Sequence, residues 1–278
     1  MEESVLAKKM IHHLRACQNK SISPQIEGAP NYRQADSLHV MEESVLGKKM
    51  ILKNDHFRGC PNKLISPQIE GAPNYRQADS LRVHRVAVPT IAGIQNVLKH
   101  VGAHKDGKQV QALWISLREE PVVYINGRPF VLRHVEKPLT NLEYTGLNRV
   151  RVEQMEARLK DDILMEASRY GNKIPVTDEL PDGQMVERWE PVSTDSLKTL
   201  LEVYKELEAE GYLVDYERVP VTDEKSPKES DFDTLIRKIS QAAINTEIIF
   251  NCPTGRALTT TGMVIATLVY FKRTGASG

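Results

Sequence analysis

The chain has 278 residues, with 37 Lys+Arg against 37 Asp+Glu, so net charge points to neither nucleic acid nor an anionic membrane as a partner. An apolar content of 40% with 27% charged residues is that of a soluble globular chain, of one domain or two small ones. Three cysteines, Cys17, Cys60 and Cys252, make no disulfide framework, and the expectation is a reducing compartment, the cytoplasm. No apolar run reaches the ~20 residues that span a bilayer. The acidic start, Met1-Glu2-Glu3-Ser4, lacks the basic-then-apolar order of a signal peptide.

The first 81 residues contain a near-exact duplication. Met1–Leu6 recurs as Met41–Leu46, and Ile22–Leu38 recurs unchanged as Ile65–Leu81, so the offset grows from 40 to 43. A solenoid needs at least three stacked units. Two copies this similar point instead to a segmental duplication or a gene-model artefact. Residues 1–40 are therefore read as a redundant extension, or as an extra docked arm, and 41–278 as the domain.

From Ala87 the pattern is α/β. Ile91–Val101 reads as a short helix and Val110–Leu117 as an apolar strand. Val122–Ile125 and Phe130–Leu132 flank Asn126-Gly127, a strong hairpin signal. Asn148 is positioned to cap a long helix with the stripe Val152, Met155, Leu159, Ile163 and Ala167, ending near Gly171. A strand follows at Lys173–Thr177, then an amphipathic helix at Ser193–Gly211 and a strand at Tyr212–Val221. Ser226-Pro227-Lys228-Glu229 has the residues of a helix start, carrying a helix to about Ala243. Thr246–Phe250 leads as a strand into Cys252, and Thr259–Lys272 is the last helix. Alternating elements predict a mainly parallel central sheet flanked by helices.

The chemistry concentrates at the end of that last strand. A short Gly-containing loop separates Cys252 from a helix, so a thiol would sit where loop N–H groups and a helix N-terminus favour an anion. Cys252 is the candidate nucleophile, although a lone cysteine at a strand end is more often a packing residue. Gly255 suits a loop whose backbone must approach a phosphate. Thr259 has two readings, donor to the sulfur or helix cap. Asp223, in the polar loop Val219–Pro227, has the place of a mobile general acid; standing alone it would be a turn residue. Arg118 follows the Val110 strand, where α/β ligand sites gather, or turns a solvated corner. Lys225 and Arg256 offer positive charge to an anionic ligand, or are surface charges.

Together, Asn251-Cys252 through Gly262, the Thr222-Asp223 to Pro227 loop, Trp114–Glu120, Gly71–Gln77 and the Val122–Leu132 hairpin resemble the paladin group. That group is related to the cysteine-dependent, protein-tyrosine-phosphatase-like phytases. The resemblance covers about residues 41–278. It implies a fold of the dual-specificity phosphatase type and a reaction in which the cysteine attacks a phosphomonoester. It also implies a phosphocysteine intermediate, Asp223 as general acid, and no metal or cofactor. Implied substrates are inositol phosphates, phosphoinositides or phosphotyrosine, on a small molecule or a phosphoprotein. The family pattern is Cys, five residues, Arg; here that arginine position is Leu258, preceded by Ala257, and Arg256 stands two residues early. Activity is therefore expected to be impaired, with an anion-binding or scaffolding pseudophosphatase as the alternative.

Overall fold

The computed structural model describes residues 50–56, 68–142, 144, 146–221 and 229–275. The first copy of the duplication, the start of the second and the loop carrying Asp223 and Lys225 lie outside these residues. The rest of the second copy is built into the core. Ala72 and Tyr75 are buried, and a Cβ on Gly71 would stand 2.4 Å from Thr90 Oγ1 and 2.9 Å from Gly93 N.

In chain order the strands and helices are β1 (Met50–Asn54), β2 (Arg76–Gln77), β3 (Val83–Ala87), α1 (Ile91–Val101), β4 (Ala112–Arg118), β5 (Val123–Ile125), β6 (Arg128–His134), α2 (Arg149–Ser168), β7 (Lys173–Glu179), β8 (Met185–Pro191), β9 (Leu197–Thr199), α3 (Leu200–Ala209), β10 (Val214–Val221), α4 (Glu229–Gln241), β11 (Glu247–Cys252) and α5 (Ala257–Thr274). They form two sheets rather than one. The first, in the order β10-β4-β11-β3-β2, is parallel except for its edge strand β2. The second, β8-β7-β1-β6-β5-β9, is antiparallel except where β1 meets β7.

The expected mainly parallel sheet thus holds only for the five-stranded half. Two hairpins account for the difference. Asn126 and Gly127 both take positive φ, 50° and 77°, as a two-residue turn between β5 and β6 requires. Gly183, at φ 85°, turns β7 into β8. β8 is a half-buried edge strand without clean alternation, so its sequence carries little strand signal. The helix expected from Ser193 begins only at Leu200, because β9 takes its first turn and the Thr199–Glu202 capping box sets the boundary.

Helix α2 forms as its stripe dictates. Asn148 accepts from Arg151 N, Val152 is buried, and Met155, Leu159, Ile163 and Ala167 are buried against the six-stranded sheet. β4 and β11 are buried along their whole lengths, the mark of strands covered on both faces. α4 and α5 cover one face of the parallel sheet through Leu113, Ile115, Phe250, Leu235, Ile239, Ile265 and their neighbours. α1, α3 and residues of the second sheet cover the other, around Trp114, Tyr204 and Tyr216. β11 lies at the centre of the parallel sheet, so Cys252 emerges at its C-terminal edge, where ligands of such sheets collect.

Candidate active site

Cys252 is buried, at 2% exposure, and pairs in register with Ala87 of β3. Trp114 Nε1 donates to Asn251 Oδ1 at 2.9 Å and fixes the strand just before the cysteine. The chain then turns over the end of β3. Gly255 has φ 62°, and a Cβ there would lie 2.5 Å from Ala87 N and 2.8 Å from Val86 C. Only glycine satisfies both the left-handed backbone and this close approach. On the other side, Asn74 Nδ2 donates to Thr254 O at 2.8 Å and ties the loop to the segment before β2.

Helix α5 starts without the caps that α1, α2 and α3 possess. Its N-cap residue Arg256 supplies no side-chain acceptor, whereas Thr90, Asn148 and Thr199 each accept from a first-turn N–H. Thr259 does not donate to the sulfur, as one sequence reading had it. Its hydroxyl donates to Arg256 O at 2.9 Å, and the Cys252 S–H points to Thr259 Oγ1 at 3.9 Å. The carbonyl three residues back is simply nearer to the hydroxyl. Leu258 is buried at 8% exposure in the same apolar cluster as Cys252, Leu117, Val221 and Ile265.

Arg118 reaches the same edge from β4, but it is enclosed. Its guanidinium pairs with Asp55, just past β1, and with Glu120 at 2.7 Å, while Nε has no partner among the described residues. Burial opposes its charge. Asp55 and Glu120 outweigh burial, with Cys252 acting in the same direction, and Arg118 is held charged above the ordinary range. Glu120 also accepts from Arg133 at 2.8 Å and from Leu142 N at 2.9 Å. Burial raises the Glu120 carboxyl against the pull of both arginines.

Arg76 and Arg85 were missed as site residues. They are opposed partners across β2 and β3, and Arg85 Nη1 donates to Thr260 Oγ1 in the first turn of α5 at 2.8 Å. Arg76 stood in a recognisable motif, but nothing in the sequence marked Val83–Ala87 as the neighbour of the cysteine strand. The structure therefore brings Cys252, Gly255, Arg256, Thr259 and Arg118 to one sheet edge and adds Arg76, Arg85, Asn74 and Asp55. Among the described residues no group of His, Cys, Asp and Glu is arranged to hold a metal, and no helix is long and apolar enough to cross a membrane.

A buried cysteine ending the central parallel strand, a glycine loop folded over the neighbouring strand and a helix opening behind it define a cysteine-phosphatase-like domain. The model of the PTP-like phytase family, described as "Inositol hexakisphosphate", matches residues 115–270, more than half of the chain, and the chain belongs to that family. Paladin of Gallus gallus is 27% identical over 205 residues, covering 69% of this chain and 21% of its own length. Paladin of Homo sapiens is 26% identical over 196 residues, covering 69% and 20%. The chain thus spans about a fifth of the paladins it matches. Two solved structures from Mitsuokella multacida share the fold, each at 18% identity. The PTP-like myo-inositol phosphatase in complex with myo-inositol-(1,3,4,5)-tetrakisphosphate has a TM-score of 0.55 over 79% of this chain and 37% of its own. The tandemly repeated protein tyrosine phosphatase like phytase has a TM-score of 0.57 over 80% and 37%.

Proposed function

We propose that this domain binds a phosphomonoester of the inositol phosphate type over Cys252 and turns it over weakly, if at all. The observation that carries the reading is the loop itself. A buried thiol, a left-handed Gly255 seated on β3 and an α5 start without a side-chain cap fit a loop whose backbone N–H groups would cradle an anion. In the reaction, Cys252 Sγ attacks phosphorus and the ester oxygen leaves with a proton from Asp223. Water then hydrolyses the phosphocysteine, with Asp223 as the base. Arg118 contributes a fixed positive field beside the sulfur rather than a grip, because Asp55 and Glu120 already occupy its guanidinium.

The defect lies at Leu258. An arginine there would hold the phosphate oxygens bidentately, and leucine offers nothing to the developing charge. Losing one oxyanion donor costs about 10²–10³ in rate, and losing a bidentate cation at least as much. The burial of Leu258 in the cluster beneath α5 favours a second reading, a pseudophosphatase that keeps the cradle as an anion-binding or scaffolding module.

The deciding experiment measures turnover of an aryl phosphate and of inositol hexakisphosphate by this chain, by Leu258→Arg and by Ala257→Gly/Leu258→Arg. The enzyme reading expects a rise of about 10² or more in a substituted chain, abolished by Cys252→Ser and cut about 10²–10⁴-fold by Asp223→Asn. No turnover in any variant, together with phosphate protection of Cys252 from alkylation, leaves the pseudophosphatase reading. No protection in the wild-type chain removes both.

A further inference from the structure

The corner between the two sheets is held by side chains rather than by a strand ladder. β4 ends at Arg118 and β5 begins at Val123, so the chain crosses from one sheet to the other over residues 119–122. This stretch is buried, and each of its backbone polar groups needs a partner. Arg218 of β10 and Glu156 of α2 supply several of them. Arg218 Nε donates to Arg118 O and Nη2 to Glu120 O, both at 2.9 Å. Val122 N donates to Glu156 Oε1 at 2.9 Å, and Arg218 Nη1 donates to the same oxygen at 2.7 Å. Neither side chain of the pair has exposed surface. The ladder between β10 and β4 is irregular at this point. From the Arg218–Ser116 pair to the Val221–Arg118 pair, β10 has one residue more than β4. Such a bulge interrupts the ladder, and the guanidinium fork of Arg218 spans the interruption.

Replacing a buried ion pair by packed apolar side chains is often neutral or stabilising, so stability alone does not require this one. What apolar side chains cannot supply is the fixed placement of Arg118 and Glu120. Asp55 and Glu120 hold the Arg118 guanidinium, and the Glu120 carbonyl is itself in the grip of Arg218. Both the backbone of Arg118 and one holder of its charged end therefore depend on the same arginine. We propose that Arg218 and Glu156 are positioning residues for the chemistry at Cys252: they fix the β4–β5 corner so that the Arg118 charge stands beside the sulfur. The pair acts through Arg118 rather than on the sulfur itself. The proposal rests on Cys252 marking the phosphate site and on Arg118 supplying its fixed positive field.

The test on the full chain is the rate of Cys252 alkylation by anionic iodoacetate divided by that by neutral iodoacetamide, mapped by peptide. A cation fixed beside the sulfur favours the anionic reagent, so the ratio reports where the Arg118 charge stands without a bound phosphate. Arg118→Gln sets the scale, with an expected fall of about fivefold or more. Glu156→Leu/Arg218→Met removes the pair without changing net charge, and should lower the ratio about threefold or more. Arg218→Lys keeps the charge but puts one ammonium in place of the planar fork, and should lower the ratio as well. In an Arg118→Gln background neither change should lower it further. Val176→Ala, a truncation in the core beneath β7, controls for lost stability and should leave the ratio as in the wild type.

A ratio kept by the double variant would mean that the corner holds itself. A ratio lost in the double variant but kept by Arg218→Lys would mean that Arg218 acts by its charge and not by placement. An equal fall in Val176→Ala would mean that lost stability suffices, and a further fall in the Arg118→Gln background that the pair acts by another route. No fall in Arg118→Gln would mean that its charge does not reach the sulfur. Each of these results overturns the proposal. If the double variant or Arg118→Gln fails to fold, Arg218→Lys against Val176→Ala decides. If phosphate fails to protect Cys252 in the wild-type chain while the ratios fall as expected, the phosphate-site reading fails and the positioning of Arg118 stands.

Discussion

Strand β11 has polar chemistry at both ends, handled in opposite ways. At its first residue, Glu247 accepts from Arg82 at 2.8 Å and meets His84 Nε2 at 2.7 Å, and the other ring nitrogen of His84 meets Tyr75 OH at 2.8 Å. Every member of that set has a protein partner. At its last residue, Cys252 leads into a helix without a side-chain cap, and next to it on β3 and β2 stand the opposed Arg85 and Arg76, with which no carboxylate pairs among the described residues. The first arrangement is complete within the fold and serves to lock β2, β3 and β11 together. The second has no such carboxylate among the described residues, and an anion there is what the proposed function requires.

The closed end should break hardest. Glu247→Ala leaves the buried His84 ring without its partner and the half-exposed Arg82 without its carboxylate, and a buried polar group left unsatisfied costs about 1–3 kcal/mol. Urea denaturation should show that loss, while phosphate protection of Cys252 in the folded fraction stays as in the wild type. Loss of protection would show that the two ends are coupled.

Gly255→Ala comes next. The new Cβ meets the β3 backbone and the residue is forced to hold φ 62°, so a loss of about 2 kcal/mol is expected. Here protection of Cys252 should vanish with the stability. A variant that keeps both would show that the loop seats on β3 less tightly than the contact requires.

A charge pair away from both ends supplies a pH control. Asp162 of α2 is buried and paired with Arg158 at 3.0 Å, and burial, only partly offset by Arg158, raises its carboxyl to about 6. The folded chain then holds this proton more tightly than the unfolded chain, so stability contributed by protonated Asp162 falls as pH rises from about 4 to about 6. Asp162→Asn should flatten that fall by on the order of 1 kcal/mol between pH 4 and pH 7. An unchanged slope in paired denaturation curves would show that Asp162 titrates normally.

The open end should respond least in stability. Arg76→Gln removes one of two opposed like charges and should shift the unfolding free energy by no more than about 0.5 kcal/mol, toward greater stability at low salt. A loss above 1 kcal/mol would place Arg76 among the structural charges and erase the contrast between the two ends of β11.

The local elements were legible where periodicity and punctuation agreed. The α2 stripe, the Asn148 cap, the Asn126-Gly127 hairpin and the strand–loop–helix around Cys252 follow from spacing alone, because side-chain direction repeats at 3.6 or 2 residues and few residues tolerate a cap or a positive φ. The short or half-buried strands β1, β2, β3, β8 and β9 were not legible, since their sequences become strands only by pairing with distant partners. The departure at Leu258 could be read from one position counted after Cys252. What the sequence could not decide is which charges are spent and which are open. Arg118 and Arg85 look alike along the chain, yet Asp55, 63 residues from Arg118, closes one of them, while Arg76, folded back across β2, faces the other. Charge compensation is a property of neighbours in space, and the folding that brings Asp55, just past β1, to Arg118 and sets β2 beside β3 is fixed only when the two sheets bury their apolar faces together.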